Sequence, residues 1–491
     1  MNKLVSYSVL FGTMLFPLLA KAQFSASNLM AVQRGNLIGE EPQNLMTLYD
    51  QLDMHYRYRA FRLSTRIDQF HSSAENPYEY IKLSQLSFSY RKKSLEIKAG
   101  NYYETLGRGL LLRGYEIKNS VFEDRIYRSQ QGFYKDLLGA MGSYRYKFIS
   151  AKALWGKSLN NQLPVGHPDR RIDIVGAGEL NFQFKGQTLG AIYLHHQLND
   201  QVNHFVSAHL GGSLFNFFDY YGELAKRIST ANPILHFDNN DRYGAYFNLN
   251  YSRSNFGTSF ELKTYHNFVI GSGIADPPTL VKEHSYRLLN RSTHVAEFFD
   301  ESGYQIEMFY HMPDHTLITF NHSRGKNQFG SLQLTFYEYF LEANIINEIW
   351  QLKFFGDYSK DDVVGESGRI TTGANISRMI NNRWSVHLDG EGQSIERYND
   401  RFINAYLGLI VSNSTKFSAG ILYELTTDPF LLTEQQQIIS YPALNFSYEI
   451  NTKNNIQLFA GQRRGGPACT SGVCYEVLDF KGFEIRYNLK L

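Results

Sequence analysis

The end of the chain, residues 481–491, reads KGFEIRYNLKL, and apolar and polar side chains alternate along it without a break. Apolar residues occupy every second position, namely Phe483, Ile485, Tyr487, Leu489 and Leu491. Successive side chains of a strand point to opposite faces, so this stretch predicts a strand with one apolar face and one polar face. An outer-membrane barrel needs such a strand for assembly and closure, because no sheet edge can remain unpaired in lipid.

The same alternation recurs along the chain in segments of strand length. Examples are residues 95–99, 179–184, 260–263, 350–358, 384–389 and 444–450. The pattern predicts an all-β fold, a transmembrane antiparallel β-barrel. The predicted barrel has about 22 strands if Asp50 to Phe70 is one long strand. It has about 24 if that segment is a hairpin and another strand lies between Phe24 and Leu48. The strand count is expected to lie between about 16 and 26.

The connections between these segments alternate between tight turns and longer polar stretches. Tight turns are predicted near Lys92, Lys185-Gly186, Gly211-Gly212 and Ser254-Asn255, among others. The long stretches are 71–78, 104–137, 158–172, 227–242, 269–302, 360–366, 426–440 and 464–476. Outer-membrane barrels have short periplasmic turns and long outer loops, so this alternation supports the barrel.

The first 22 residues have the composition of a secretory signal. Lys3 precedes the apolar run 4–19, and Ala20-Lys21-Ala22 forms a small-residue cleavage site. We expect residues 1–22 to be a signal peptide and residues 23–491 to be a single barrel domain. Beyond the signal no stretch approaches the roughly 20 apolar residues that a membrane helix requires, which excludes a helical membrane protein.

Composition and charge fit an exported β protein. Aromatic residues make up 15% of the chain, with 34 Tyr and 36 Phe, as interface girdles require. The formal net charge is only +2, and basic residues form no stripe, so no nucleic-acid partner is indicated. Cys469 and Cys474 are the only cysteines, and in an exported chain their close spacing predicts a disulfide that stiffens a loop.

The densest unusual segment is AGNYYETLGRGLLLRGYE at residues 99–116, followed by Glu123-Asp124-Arg125. Its glycines permit bends, so the segment could fold into the lumen as a constriction or plug. The candidate lumen residues are Glu104, Arg108, Arg113, Glu116, Asp124 and Arg125. The alternative is an outer loop whose charges are solvated.

Two motifs resemble a known family. GNYYE at residues 100–104, with GRGL at 107–110 and LRGYE at 112–116, resembles the signature of a family of outer-membrane β-barrel proteins of unknown function from Bacteroidetes. QRRGG at 462–466, followed by Cys469, Gly472 and Cys474, is similar to a second motif of that family. The resemblance implies a barrel in the outer membrane and supplies no activity.

Catalytic and metal-binding motifs are weak throughout. The chain has no nucleophile elbow, no zinc-protease motif and no phosphate-binding loop. His195 and His196 are adjacent and would face opposite sides of a strand, so they cannot share a metal. Asp238-Asn239-Asn240-Asp241 lacks the spacing of a calcium loop and suits a turn. We therefore predict no catalytic residue, no metal and no cofactor, and an enzyme is the least favoured class.

The sequence thus favours a porin-like channel in the outer membrane of a Gram-negative cell, with a Gly/Arg-rich lumen segment. The alternative is a non-conducting structural or accessory subunit of an outer-membrane assembly or secretion complex, its lumen blocked by residues 104–137. The partners expected are the lipid bilayer, lipopolysaccharide, the barrel assembly machinery and other envelope proteins.

Overall fold

The computed structural model describes residues 23–228, 242–271, 281–295, 300–413, 416–432, 436–470 and 473–491. The predicted signal peptide and the segment Asp238–Asp241 lie outside these ranges. No helix within them is long and apolar enough to cross a membrane.

The described residues form twenty-eight strands, and most belong to one sheet. The first half comprises β1 (Gln23–Asn36), β2 (Met46–Tyr58), β3 (Phe61–Ser72), β4 (Tyr80–Lys92), β5 (Leu95–Tyr102), β6 (Tyr115–Glu123), β7 (Gln130–Lys135), β8 (Leu137–Tyr146), β9 (Ile149–Ser158), β10 (Ile174–Phe184), β11 (Gln187–Leu198), β12 (Gln201–Leu214), β13 (Phe218–Ile228) and β14 (Tyr243–Arg253). The second half comprises β15 (Phe256–His266), β16 (Asp300–His311), β17 (Thr316–Phe329), β18 (Leu332–Ile346), β19 (Trp350–Asp361), β20 (Glu366–Met379), β21 (Trp384–Arg397), β22 (Asp400–Asn413), β23 (Phe417–Thr426), β24 (Ile439–Asn451), β25 (Asn454–Arg463), β26 (Gly466–Thr470), β27 (Val473–Val477) and β28 (Phe480–Lys490). In the same part of the chain the helices are α1 (Arg287–Arg291) and two 3₁₀ turns, Pro168–Arg171 and Asp362–Val364.

The large sheet is a closed antiparallel barrel of 24 strands. Each wall strand pairs with its neighbour in the chain, except that β5 pairs with β8 and β25 with β28. The last strand then pairs with the first: Met30 lies opposite Asp50 on one side and opposite Tyr487 on the other. The terminal strand therefore closes the wall, as its sequence predicts, and leaves no edge.

The segment from Asp50 to Phe70 is a hairpin, since β2 and β3 are joined by a turn at residues 59–60. With β1 as the additional strand near the N-terminus, the larger of the two predicted counts is correct. The predicted turn at Gly211-Gly212 is wrong, because both glycines lie inside β12 and the chain turns at 215–217. A side chain on Gly212 would come within 2.3 Å of the Gln187 side chain, so the glycine serves close packing between strands and not a turn.

The two faces of the wall differ as the alternation predicts. Along β19, Phe354 and Tyr358 are exposed, whereas Phe355, Asp357 and Ser359 are buried. In β28, Phe483 is 41% exposed and Glu484 only 5%. Exposed apolar side chains belong on the lipid face, and the buried set, which includes many charged groups, faces the interior.

At one end of the barrel every connection between wall strands is short, and aromatic side chains form a ring there; we call it the turn end. The opposite end, the loop end, carries all the long connections, although it also has short turns at 199–200, 330–331 and 398–399. Aromatic side chains flank the turns at 59–60, 147–148, 185–186, 215–217 and 254–255, and include Phe61, Tyr146, Phe148, Phe184, Phe215 and Phe256. Several pack against each other, for example Phe61 and Tyr90, whose ring centroids lie 4.8 Å apart with the ring planes tilted by 44°. Such a girdle marks the interface between hydrocarbon and headgroups.

Candidate functional site

Three segments from the loop end pack against the inward face of the wall. The first insert, residues 103–136, joins β5 to β8 and contains the β6–β7 hairpin. The second insert, residues 281–295, precedes β16 and contains α1. The third insert, residues 464–479, joins β25 to β28 and contains the β26–β27 hairpin. Together they form the candidate functional site.

The first insert is anchored by leucines. Leu106, Leu110 and Leu111 have no exposed surface, and Leu112 is 2% exposed. They pack on inward-facing apolar wall residues that include Val175, Ile192, Leu194, Phe205 and Ala225. The polar inner face that the alternation predicts is interrupted here, because the insert covers this part of the wall with apolar side chains.

Gly107 lets the same insert approach the wall closely. Its φ is +54°, and a Cβ would lie 2.5 Å from the carboxylate of Glu223 and 2.8 Å from the hydroxyl of Tyr221. Both the left-handed backbone and the lack of space favour glycine. The backbone N–H of the next residue, Arg108, donates to Glu223 Oε2 at 3.3 Å, and its guanidinium lies over the Tyr221 ring.

Glu104 ties the start of the insert to two strands. Its carboxylate accepts from Lys98 Nζ at 3.1 Å and Lys152 Nζ at 2.9 Å. Burial raises the pKa of the Glu104 carboxyl, but the two ammonium groups more than offset this and hold the pKa below its usual range. The carboxylate is therefore the stable form of this group.

The other candidate lumen residues have separate partners. Arg113 lies over the Tyr115 ring, 5.8 Å from its centroid, and Glu116 forms an ion pair with Arg66 of β3. Asp124 accepts the backbone N–H groups of residues 126 and 127 at 2.8 Å, which is a local turn. Arg125 lines a cavity of about 600 Å³ together with parts of the other two inserts. The six residues thus lie at several places along the insert and do not share one set of partners.

The second insert is held by acidic side chains of the wall. Arg287 Nε donates to Glu424 Oε2 at 3.0 Å, and Arg291 forms an ion pair with the same carboxylate. The N–H groups of Arg287 and Leu288 both donate to Glu391 at 2.7 Å, which satisfies the first turn of α1. Glu424 is 1% exposed, so its charge depends on these partners.

The third insert contacts both of the others. Asn290 donates to the carbonyl of Cys469 at 3.0 Å and accepts from its N–H at 3.1 Å. Cys469 and Cys474 are joined by a disulfide across the β26–β27 hairpin. On the other side, the Tyr475 ring lies 5.1 Å from the Phe133 ring of the first insert. The three inserts therefore form one connected layer inside the wall.

Sequence reasoning missed the second insert, which it assigned to the long loop 269–302, and also its wall anchors. Glu424 is the one acid of β23, and Glu391 lies between Asp389 and Glu396 in β21, so the sequence does not distinguish either as an anchor. A usable signal exists for the apolar patches: Phe354-Phe355 and Ile192-Tyr193-Leu194 are apolar on both faces of a strand. Such runs indicate that something covers the inner face.

His195 and His196 face opposite sides of β11, as predicted. The His195 ring lies 5.2 Å from the ring of His204, whereas His196 is buried and binds Asp173 at 2.6 Å. Neither belongs to the inserts.

Several polar cavities lie between the inserts and the turn end, and two of them border the first insert. One, of about 520 Å³, is lined by Arg91, Lys93, Arg145 and Lys152 among others. The other, of about 380 Å³, includes Asp53, Arg62 and Lys118. The interior on this side is charged, as expected for an aqueous vestibule.

A closed barrel with an apolar exterior, an aromatic girdle and inward-folded inserts defines the protein as a transmembrane β-barrel of the large, internally occupied class. The chain belongs to DUF6029, a family of unknown function, whose family model matches residues 19–327. This match includes the motif at residues 100–116 and ends before the motif at 462–474.

Comparison with solved structures finds other β-barrels. The translocation pore of the P pilus usher PapC is 11% identical, with a TM-score of 0.48 over 95% of this chain and 99% of that chain. OccK3 (OpdO) of Pseudomonas aeruginosa is 9% identical, with a TM-score of 0.45 over 72% of this chain and 94% of that chain. OccK5 (OpdH) of the same organism is 13% identical, with a TM-score of 0.41 over 82% and 98%. No functionally curated protein matches the chain.

Proposed function

We propose that the protein is an outer-membrane channel whose bore is narrowed by the three inserts, with its turn end in the periplasm. The supporting observation is the connected layer of inserts packed on the inward face of the wall. Barrels of 16 to 18 strands enclose an open aqueous channel, and larger ones are usually obstructed from within. A wall of 24 strands with such a layer fits a pathway that selects small polar solutes by size and charge.

The residues proposed to act as the filter are the charged groups of the first insert, Glu104, Arg108, Arg113, Glu116, Asp124 and Arg125. Glu104 has both ammonium partners on the wall, which fixes its position. Arg125 lines the cavity shared by the inserts. The chemistry is selection by charge without bond making, so the protein has no enzymatic role in this proposal.

The apolar packing of Leu106, Leu110 and Leu111 favours a second candidate function. Residues with no exposed surface exclude water from that part of the interior. A barrel sealed in this way would be a structural or accessory subunit of an envelope assembly or secretion complex. In both proposals the partners are lipid, lipopolysaccharide and the barrel assembly machinery.

Removal of the first insert tests the two candidates. Tyr102 and Leu137 are paired across β5 and β8, so a short Gly-Ser turn can replace residues 103–136 without altering the strand register. Conductance of the full chain and of the variant would be measured in planar bilayers. Retention of the compact, heat-sensitive form on electrophoresis would show that the variant is folded.

The channel proposal predicts small, stable conductance steps for the full chain and steps several-fold larger for the variant. A silent full chain with a conducting variant would instead support the sealed barrel. Equal conductance in both would refute the role of the first insert.

A further inference from the structure

Three ligand-type side chains meet where the second insert touches the wall. His284 comes from the second insert, Glu338 from β18 and Asp357 from β19. One potential ligand atom from each lies within 4.8 Å of the other two. The three side chains are deeply buried, with relative exposures of 3%, 1% and 4%. This is the one cluster of its kind in the described part of the chain.

The two carboxylates are not satisfied by protein groups. Glu338 accepts one contact, from His284 Nε2 at 3.2 Å, while its Oε2 and both oxygens of Asp357 have no hydrogen-bond partner. Buried carboxylates without partners are costly, so a cation or proton is required nearby.

Arg369 does not meet this requirement. Its guanidinium is 3.7 Å from Glu338 and 3.7 Å from Asp357, beyond hydrogen-bond distance. Its hydrogen bonds go to the carbonyl of Ser292 at 2.7 Å and to Glu366 at 3.3 Å. Glu366 also pairs with Arg397 at 2.7 Å. Among the described residues, Glu338 and Asp357 therefore have only the Arg369 guanidinium as a nearby arginine, and it lies beyond hydrogen-bond distance of both.

We propose that His284, Glu338 and Asp357 bind a divalent transition-metal cation that fastens the second insert to the wall. One imidazole nitrogen with two carboxylate oxygens suits Zn²⁺ or Mn²⁺. The ion draws the three ligand atoms to about 2.0–2.2 Å from a common centre and leaves a position for water. The Phe340 ring, 4.6 Å from the His284 ring, holds the imidazole in place.

The site joins elements that are distant in the sequence, so binding has a structural consequence. The wall ligands are on neighbouring strands, and the third ligand is on a segment that must fold onto them. The ion therefore stabilises the docked second insert relative to a detached one, and the stabilisation rises with the logarithm of the ion concentration once this exceeds the Kd. This inference does not depend on whether the barrel conducts.

The test is metal binding by the full, tag-free chain, refolded in detergent with chelator and then dialysed. Zn²⁺ and Mn²⁺ would each be titrated by calorimetry, and bound metal counted by mass spectrometry. The chain should bind one ion, reversibly with EDTA, and the ion should slow hydrogen exchange in residues 281–295. His284→Gln and Asp357→Asn should each weaken binding by at least about tenfold, the lower end of the loss seen even for outer-shell partners.

His294→Gln is the matched control. His294 lies on the same insert, stacks on Phe336 with centroids 4.3 Å apart, and binds a single carboxylate, Asp361, at 2.7 Å. This variant should bind the ion as the parent does. Failure of the unmodified chain to bind either ion stoichiometrically would overturn the proposal, as would unchanged affinity in His284→Gln. Because the unmodified chain decides the first point, a variant that does not fold leaves the test valid.

Discussion

Glu424 is the principal anchor of the second insert, and its replacement is the sharpest test of how the inserts are held. The carboxylate is 1% exposed and faces the guanidinium groups of Arg287, Arg291 and Arg464, the last at 3.6 Å. Burial lowers the pKa of Arg291 despite the adjacent Glu424 carboxylate, which shows how strongly the site is desolvated. Glu424→Gln keeps the shape of the side chain and removes its charge.

The expected effect follows from the burial. Loss of one partner from a buried ion pair costs about 3–5 kcal/mol. The Arg287 side chain is 30% exposed and can be partly solvated, so the lower end applies. With tenfold for each 1.36 kcal/mol, about 3 kcal/mol raises the detached population of the second insert about a hundredfold.

Hydrogen exchange of a peptide covering residues 281–295 measures this population directly, because exchange reports local opening. Protection there should fall about a hundredfold at neutral pH, while exchange in the wall strands stays unchanged. Glu449→Gln provides the control. Glu449 is on the next strand, β24, eight residues beyond Tyr441, which lies opposite Glu424. At 3.3–3.4 Å per residue it is therefore about 27 Å nearer the turn end. If protection in Glu424→Gln equals that of the parent in a folded barrel, the anchoring role is wrong.

Other predictions concern the remaining inserts. Leu111→Ala should reduce the free energy of docking of the first insert by about 2–5 kcal/mol, because Leu111 is fully buried. Faster proteolysis of residues 103–136 would show this loss, and an unchanged rate of proteolysis would contradict it. Replacing Cys469 and Cys474 by Ser should raise hydrogen exchange in residues 466–477 and leave the wall intact. The loss in stability of this hairpin should be under about 3 kcal/mol, because the loop that the disulfide closes is short. Docking of residues 103–114 should weaken on acidification, because the pKa of the Glu104 carboxyl is lowered in the folded state. The stability that the ionised carboxylate adds to the docked insert is complete above the unfolded-state pKa of about 4.3, and it is lost as the pH falls through the folded-state pKa. Glu104→Gln should abolish this acid step in hydrogen exchange, and persistence of the step would assign it to another carboxylate.

Much of the wall is determined by the sequence alone. A period of two over about ten residues specifies which face of a strand meets lipid, as Phe483 and Glu484 show in the closing strand. Turn residues such as Lys185-Gly186 specify where the chain reverses, since their backbone conformation has positive φ. These signals are local, so one sequence is enough to read them.

Which segments fill the barrel interior depends on the tertiary structure. Residues 104–116 are equally compatible with an outer loop and with an insert, because their leucines require an apolar surface that is built from β10 to β13, far along the chain. Likewise Glu424 anchors Arg287 and Arg291 across more than a hundred residues, and His284, Glu338 and Asp357 converge without any spacing that marks a site. Contacts between distant segments depend on barrel closure, and the pattern of one strand can indicate that its inner face is covered but does not identify the segment that covers it.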